Sequence, residues 1–170
     1  MDHFARLGLP AALELEPASL DRAYFALQRQ WHPDRFANRP AEERARASAE
    51  AAALNDAYRT LKDPLSRAFY LAELKGVALP GDGKTIDDPD LLMEAMEARE
   101  ALHEAQTVEA IDKLAVEARD EVKQALGNLG TLFLRGDKPA IRKALLRLRY
   151  LDKFADEART RRANLERSSA

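Results

Sequence analysis

Between residues 76 and 90 the chain reads GVALPGDGKTIDDPD, with three glycines, two prolines and four aspartates, set between long stretches whose apolar residues recur every three or four positions. Glycine costs a helix interior about 1 kcal/mol and proline about 3 kcal/mol, so a continuous helix through this stretch is excluded. It predicts a domain boundary, with one domain over residues 1–75, a linker at 76–88 and a second domain over 89–170. The run GDGKT within it ends like a phosphate-binding P-loop. That motif needs glycine five residues before Gly83, where Ala78 stands, and no strand-like run leads into it, so a plain linker is the preferred reading over ATP binding.

On either side of the break the material is helical. Ala, Leu, Glu and Arg dominate, which form helices well and strands poorly, and 46% apolar content suffices for one moderate core or two small ones. The absence of cysteine excludes disulfides, thiolate metal sites and cysteine nucleophiles, and it fits a reducing compartment, with the cytoplasm the expected location. No apolar run approaches the roughly 18 residues of a membrane helix. The opening MDHFARLGLP lacks a basic region followed by a long apolar one, so neither membrane insertion nor export is expected.

A formal net charge of -2 argues against nucleic acid as a partner, but it conceals a split. Residues 1–75 balance at 11 basic and 11 acidic. Residues 87–121 carry 12 acidic and 3 basic residues, and residues 122–170 carry 12 basic and 5 acidic. An acidic segment is thus followed by a basic one. The face with Lys143, Arg147 and Lys153 reads most simply as solvated surface.

In the first domain Ser19 is the expected N-cap of a helix whose apolar stripe is Leu20, Ala23, Tyr24, Leu27 and Trp31. A second helix starts near Pro40, with Glu42 and Glu43 in its first turn and Ala47, Ala51, Leu54, Tyr58 and Leu61 as its stripe. The pair should pack antiparallel. Asp63 caps a shorter helix from Pro64 that ends at Gly76, and a helical turn at Phe4 and Leu7 completes the core. The second domain predicts helices over roughly 89–105, 107–135 and 138–166. Ile111, Leu114, Ala118, Val122, Ala125, Leu129 and Leu132 line the middle one, and Ile141, Ala144, Leu145, Leu148, Leu151 and Ala155 the last.

The loop between the first two long helices holds His32, Pro33 and Asp34 directly after Trp31. A carboxylate can orient an imidazole for general-base work, but residues split by a rigid proline need not face one another, and no nucleophile or HExxH-type metal spacing lies nearby. A hydrolase using His32 is therefore the weaker alternative. A simple turn also fits, since proline ends a helix and aspartate favours turns. What distinguishes this tripeptide is its setting, after an aromatic, between two amphipathic helices and ahead of DPLSRAFYL. Together these residues resemble a J-domain of the DnaJ type.

The resemblance implies that His32, Pro33 and Asp34 dock on an ATPase chaperone of the DnaK or HscA type and stimulate its ATP hydrolysis, with no enzymatic turnover by this chain. J-domains usually carry a strongly basic helix before the tripeptide. Here the basic residues are mainly Arg22, Arg29 and, just after it, Arg35, with Phe25 and Ala26 where basic residues are common, which leans toward a dedicated chaperone. The runs LQRQWHPDRFA, NDAYRTLKDPLSRAFYL, LLMEAMEAREALHE and LRYLDK, in that order, resemble the HscB family of J-type co-chaperones of iron–sulfur cluster biogenesis. The implied fold is all-α, an N-terminal helical-hairpin J-domain followed by a C-terminal three-helix bundle. A general J-protein serving unfolded clients is the other alternative.

The bundle's first helix can be examined by geometry. At about 100° per residue, Leu91, Ala95, Ala98, Leu102 and Ala105 cluster within about 40° either side of one direction, a core stripe. Leu92, Met93 and Met96 fall on the other side with Glu97, Glu100 and Glu104, predicting an exposed apolar patch ringed by carboxylates. The family resemblance implies that this face, with Tyr150, binds the IscU-type scaffold protein. Tyr150 lies about 180° from Ile141, beside Leu146 and Phe154 and off the core stripe. Packing against the first domain is the alternative reading of Tyr150, only slightly behind. No cofactor and no metal are expected, since His3, His32 and His103 show no ligand spacing.

Overall fold

Four prolines mark where elements begin, because a proline at the first helical position has the right φ already and wastes no hydrogen-bond donor. In the computed structural model, which describes residues 1–81 and 86–168, Pro17, Pro64 and Pro89 each open a helix and Pro33 opens a 3-10 turn. Most of the GDGKT run, residues 82–85, lies outside the described residues. The helices are α1 (His3–Arg6), α2 (Pro17–Trp31), α3 (Ala41–Lys62), α4 (Pro64–Leu74), α5 (Pro89–Glu104), α6 (Val108–Arg135) and α7 (Lys138–Ser168). No strand occurs among the described residues.

Side-chain oxygens satisfy the free amides at several helix starts. Asp63 accepts from the Ser66 amide at 2.7 Å, Asp88 from those of Asp90 and Leu91, Thr107 from Ala110 and Asp137 from Ala140. Gly76 and Gly136, at φ +74° and +65°, close α4 and α6 in the left-handed conformation that glycine tolerates. The expected cap at Ser19 is displaced. With Pro17 already at the first position, α2 begins three residues earlier, after Glu16, and the Ser19 hydroxyl donates to the Glu16 carboxylate instead.

The chain divides into compact units, residues 1–75 and 76–170. In the first, α2 and α3 run antiparallel. Asp21 faces Tyr58, Tyr24 faces Asn55, the Tyr24 and Tyr58 rings stack at 4.1 Å, and Arg46 lies over Trp31. Leu20, Ala47, Leu54, Ala57 and Leu61 form the buried seam, closed by Phe4 and Leu7 below and by Ala68, Leu71 and Ala72 of α4. Arg67 ties these pieces together, donating to the carbonyls of Leu13 and Leu61 at 2.6 Å each. Burial lowers its pKa while Asp63 opposes the shift.

In the second unit α7 is the central element, packing extensively on α6 and along α5. Ile141, Leu145, Leu148 and Leu151 are buried as the periodicity requires. Leu146 and Phe154, expected off the stripe, are 1% and 5% exposed. A single stripe was the wrong expectation for this helix, because a helix gripped by two neighbours must bury two faces.

The charge split also has a structural use. Lys143 and Arg147 do not form a simply solvated face. Arg142 pairs with Asp87 at 2.7 Å, Lys143 with Asp90 at 3.3 Å and Asp88 at 3.8 Å, and Arg147 with Glu94 in a two-pronged bond at 2.6 and 3.0 Å. Numbers rise together on the two helices, so α5 and α7 run in the same direction. Residues 76–81 are held to the same unit: Val77 is buried, and the carbonyls of Ala78 and Pro80 accept from Arg142 and Arg149.

The Arg142 hydrogen bond is the main reason the Asp87 pKa lies below its usual value. A depressed folded-state pKa contributes stability that is fully present above the unfolded value of about 3.9 and is lost as pH falls through the lower folded value. Asp87→Asn should therefore lower the thermal midpoint at pH 7 and lose that deficit in strong acid. Far-UV circular dichroism melts across pH check this; a constant deficit at all pH values would contradict it.

Candidate functional site

Trp31 is the last residue of α2, and His32 leaves the helix at φ -61°, ψ 130°, the extended conformation that a following proline imposes. Pro33 then opens the 3-10 turn Pro33–Phe36, for which His32 is the capping residue. This brings the tripeptide back on itself. The Asp34 amide donates to His32 Nδ1 at 3.3 Å, and the Asp34 carboxylate stands 3.6 Å from the same nitrogen. The hydrogen bond between them comes from the Asp34 backbone and not from its carboxylate, because a cap side chain naturally meets the amide two residues on. With Nδ1 accepting, Nε2–H is the donor left for a partner.

Both flanks of the turn are fixed. Trp31 and Phe36 stack with centroids 6.0 Å apart and planes at 5°, and the Arg35 guanidinium reaches back to the carbonyl of Arg29, one of the unpaired C-terminal carbonyls of α2. His32, Pro33 and Asp34 are nonetheless exposed. Arg22 and Arg29 stand two turns apart on one face of α2, with exposed Phe25 between them, and Arg22 also bonds Ser19 at 2.9 Å. No nucleophilic side chain is hydrogen-bonded to His32 among the described residues. Nor is any group of three or more His, Asp or Glu placed there to hold a metal ion.

On α5 the wheel geometry holds. Leu91 and Leu102 are buried, whereas Leu92, Met93 and Met96 are 39%, 64% and 62% exposed, and Glu97, Glu100 and Glu104 are exposed beside them. Tyr150 is the exception to a free surface. It is half-buried against the cluster that contains Leu151 and Phe154, and its hydroxyl donates to Glu94 at 3.2 Å. Burial first, then the carboxylates of Glu94 and Glu121, push that hydroxyl up to about 12. Glu94, which bonds both Tyr150 and Arg147, is not found by the sequence reading, which takes Arg147 as solvated surface. The signal was available in the opposite charges of the two segments.

The fold and the exposed tripeptide define a J-domain protein with an appended helical bundle. Residues 2–70 match the DnaJ domain, and residues 87–159 match the HSCB C-terminal oligomerisation domain. A co-chaperone protein HscB homolog of Burkholderia multivorans is 41% identical over 167 residues, 96% of this chain and 95% of that one. A homolog of Cupriavidus taiwanensis is 42% identical, covering 90% of this chain and 89% of its own. The chaperone HscB from Vibrio cholerae superposes with a TM-score of 0.81 at 32% identity, covering 97% and 99% of the two chains. The human co-chaperone HscB gives 0.85 at 29%, covering 94% of this chain and 81% of the human one.

The chain belongs to the HscB family of co-chaperones. It is accordingly not an enzyme in itself, which removes the reading of His32 as a hydrolase base, and its DnaJ domain implies an Hsp70-type chaperone as partner. No helix among the described residues is long and apolar enough to cross a membrane.

Because the tripeptide is exposed, replacing His32, Pro33 and Asp34 with alanine should cost the first unit no more than about 1 kcal/mol. Trp31, the one tryptophan of the chain, reports on that unit alone. Urea melts followed by its fluorescence check the prediction, and a loss of cooperative unfolding would refute it.

Proposed function

We propose that this chain is the J-type co-chaperone of cytoplasmic iron–sulfur cluster biogenesis, stimulating the ATPase of an HscA-type chaperone and delivering to it the IscU-type scaffold protein. The observation that carries the reading is the exposure of two chemically different surfaces on one chain: a proline-fixed polar turn on the J-domain, and the Leu92, Met93, Met96 patch on the bundle. His32, Pro33 and Asp34 make the chaperone contact, with Arg22, Arg29 and Arg35 adding positive charge. Leu92, Met93 and Met96 form the apolar contact with the scaffold, Glu97, Glu100 and Glu104 ring it, and Tyr150 supplies its edge.

The turn suits a trigger because its shape exists before binding, so little conformational entropy remains to be lost on docking. The methionines suit a protein cargo because an unbranched, polarisable side chain adapts to a partner's contour. Carrying both surfaces on one chain raises the effective concentration of each partner for the other, promoting cluster transfer from the scaffold to acceptor proteins.

Steady-state ATP hydrolysis by purified HscA-type and DnaK-type chaperones, with this protein and with or without the scaffold, tests the whole reading. Synergy confined to the HscA-type chaperone and scaffold together is expected; equal stimulation of a DnaK-type chaperone, unaffected by scaffold, would favour a general J-protein. Alanine at His32, Pro33 and Asp34 should abolish stimulation while scaffold binding persists. Met93→Ala with Met96→Ala should weaken scaffold binding about tenfold to a hundredfold, about 1.4 kcal/mol per factor of ten, and leave stimulation without scaffold intact. Unchanged affinity in a calorimetric titration would remove the patch from the mechanism.

A further inference from the structure

Within the second unit, α5 and α6 meet near their short connection, where Leu102, Ala105 and Ile111 share one buried cluster. Further along, each leans on α7 and a groove of about 480 Å³ opens between them. Its floor is apolar, formed by Leu114, Leu151, Phe154 and the ring of Tyr150. Its walls are acidic, with Glu94 and Glu97 from α5 and Glu117 and Glu121 from α6, against a single cation, Arg147.

Arg147 is already committed to Glu94. Glu97, Glu117 and Glu121 have no ion-pair partner among the described residues, although the neighbouring charges of this unit are extensively paired. The negative field reaches the floor, where Glu94 and Glu121 both disfavour ionisation of the half-buried Tyr150 hydroxyl. An apolar floor between unpaired carboxylates is complementary to a lysine or arginine side chain, whose methylene stem lies on the floor while its charged end meets the walls. The groove is also continuous with the methionine patch. Glu97, which lines the groove, is one helical turn from Met93 on α5.

We infer that the groove between α5 and α6 receives a lysine- or arginine-bearing segment of the scaffold protein whose apolar surface sits on Leu92, Met93 and Met96. The inference rests on the scaffold-docking reading and adds the α6 wall, Glu117 and Glu121, to the contact. Carboxylates at such a rim steer association and select a basic partner; their effect is screened by salt, whereas burial of the methionines is not.

The test is calorimetric titration of the full chain with purified IscU-type scaffold protein at about 50 mM and about 300 mM sodium chloride. Glu117→Gln with Glu121→Gln should weaken binding about tenfold at the lower salt and by less than about threefold at the higher, with an unchanged thermal midpoint. Met93→Ala with Met96→Ala should weaken it similarly at both. If the glutamine variant binds like the parent at both salts while the methionine variant is impaired, the groove carries no contact and the docking reading stands. If the methionine variant binds like the parent, that reading falls and the groove proposal with it.

Discussion

The burial of α7 from two sides is the constraint on which the second unit depends. Ile141, Leu145, Leu148 and Leu151 define one direction on this helix, and Leu146 with Phe154 extends the apolar surface well beyond a single stripe. A surface that wide holds α5 and α6 at once, so each can bury one narrow face and need not embrace the other. The consequence for α5 is direct. Leu91, Ala95, Ala98 and Leu102 satisfy its packing, and nothing in the bundle remains to cover Leu92, Met93 and Met96. The exposed patch and the open groove are both products of one helix having two buried faces.

Ion pairs then settle how α5 lies on α7. Each is at least partly exposed, and such pairs contribute roughly 0–1 kcal/mol, so they are not what holds the helices together. Their value is positional. Asp87 with Arg142, Asp90 with Lys143 and Glu94 with Arg147 follow one another in the same order along both segments, and Arg99 with Glu157 reverses the sign farther along. Sliding α5 by one turn would set Arg99 toward a different part of α7 and break several pairs together. The same arrangement brings Glu94 to the Tyr150 hydroxyl, so the electrostatic register also fixes that side chain.

Much of this was legible in the sequence because helices announce themselves by spacing and punctuation. The proline starts at Pro64 and Pro89, the Asp63 cap, the glycine end at Gly76 and the outward position of Met93 and Met96 follow from local rules, and the structure has them as expected. Ser19 was misplaced because two capping signals compete within four residues and Pro17 dominates. Leu146 and Phe154 were misplaced for a non-local reason. A wheel assigns one inside to each helix, and which helix is central depends on how three of them assemble. Likewise, the positive residues of α7 looked solvated because their partners lie about 53 to 55 residues away in sequence.

The two exposed surfaces meet different physical demands, and their residues differ accordingly. The turn at His32 is held by a proline, by the stack of Trp31 on Phe36 and by Arg35 reaching back to α2, so its polar groups keep their geometry without a partner. A signal passed to another protein's ATPase depends on such fidelity, because a misplaced hydrogen-bonding group leaves the partner's own groups unsatisfied. The patch at Met93 has no comparable restraint. Apolar contact tolerates small shifts that a hydrogen bond does not, so flexible thioethers suit the docking proposed for them. A rigid polar surface and an adaptable apolar one are therefore divided between a J-domain turn and a bundle helix, each placed where its own fold leaves those side chains uncovered.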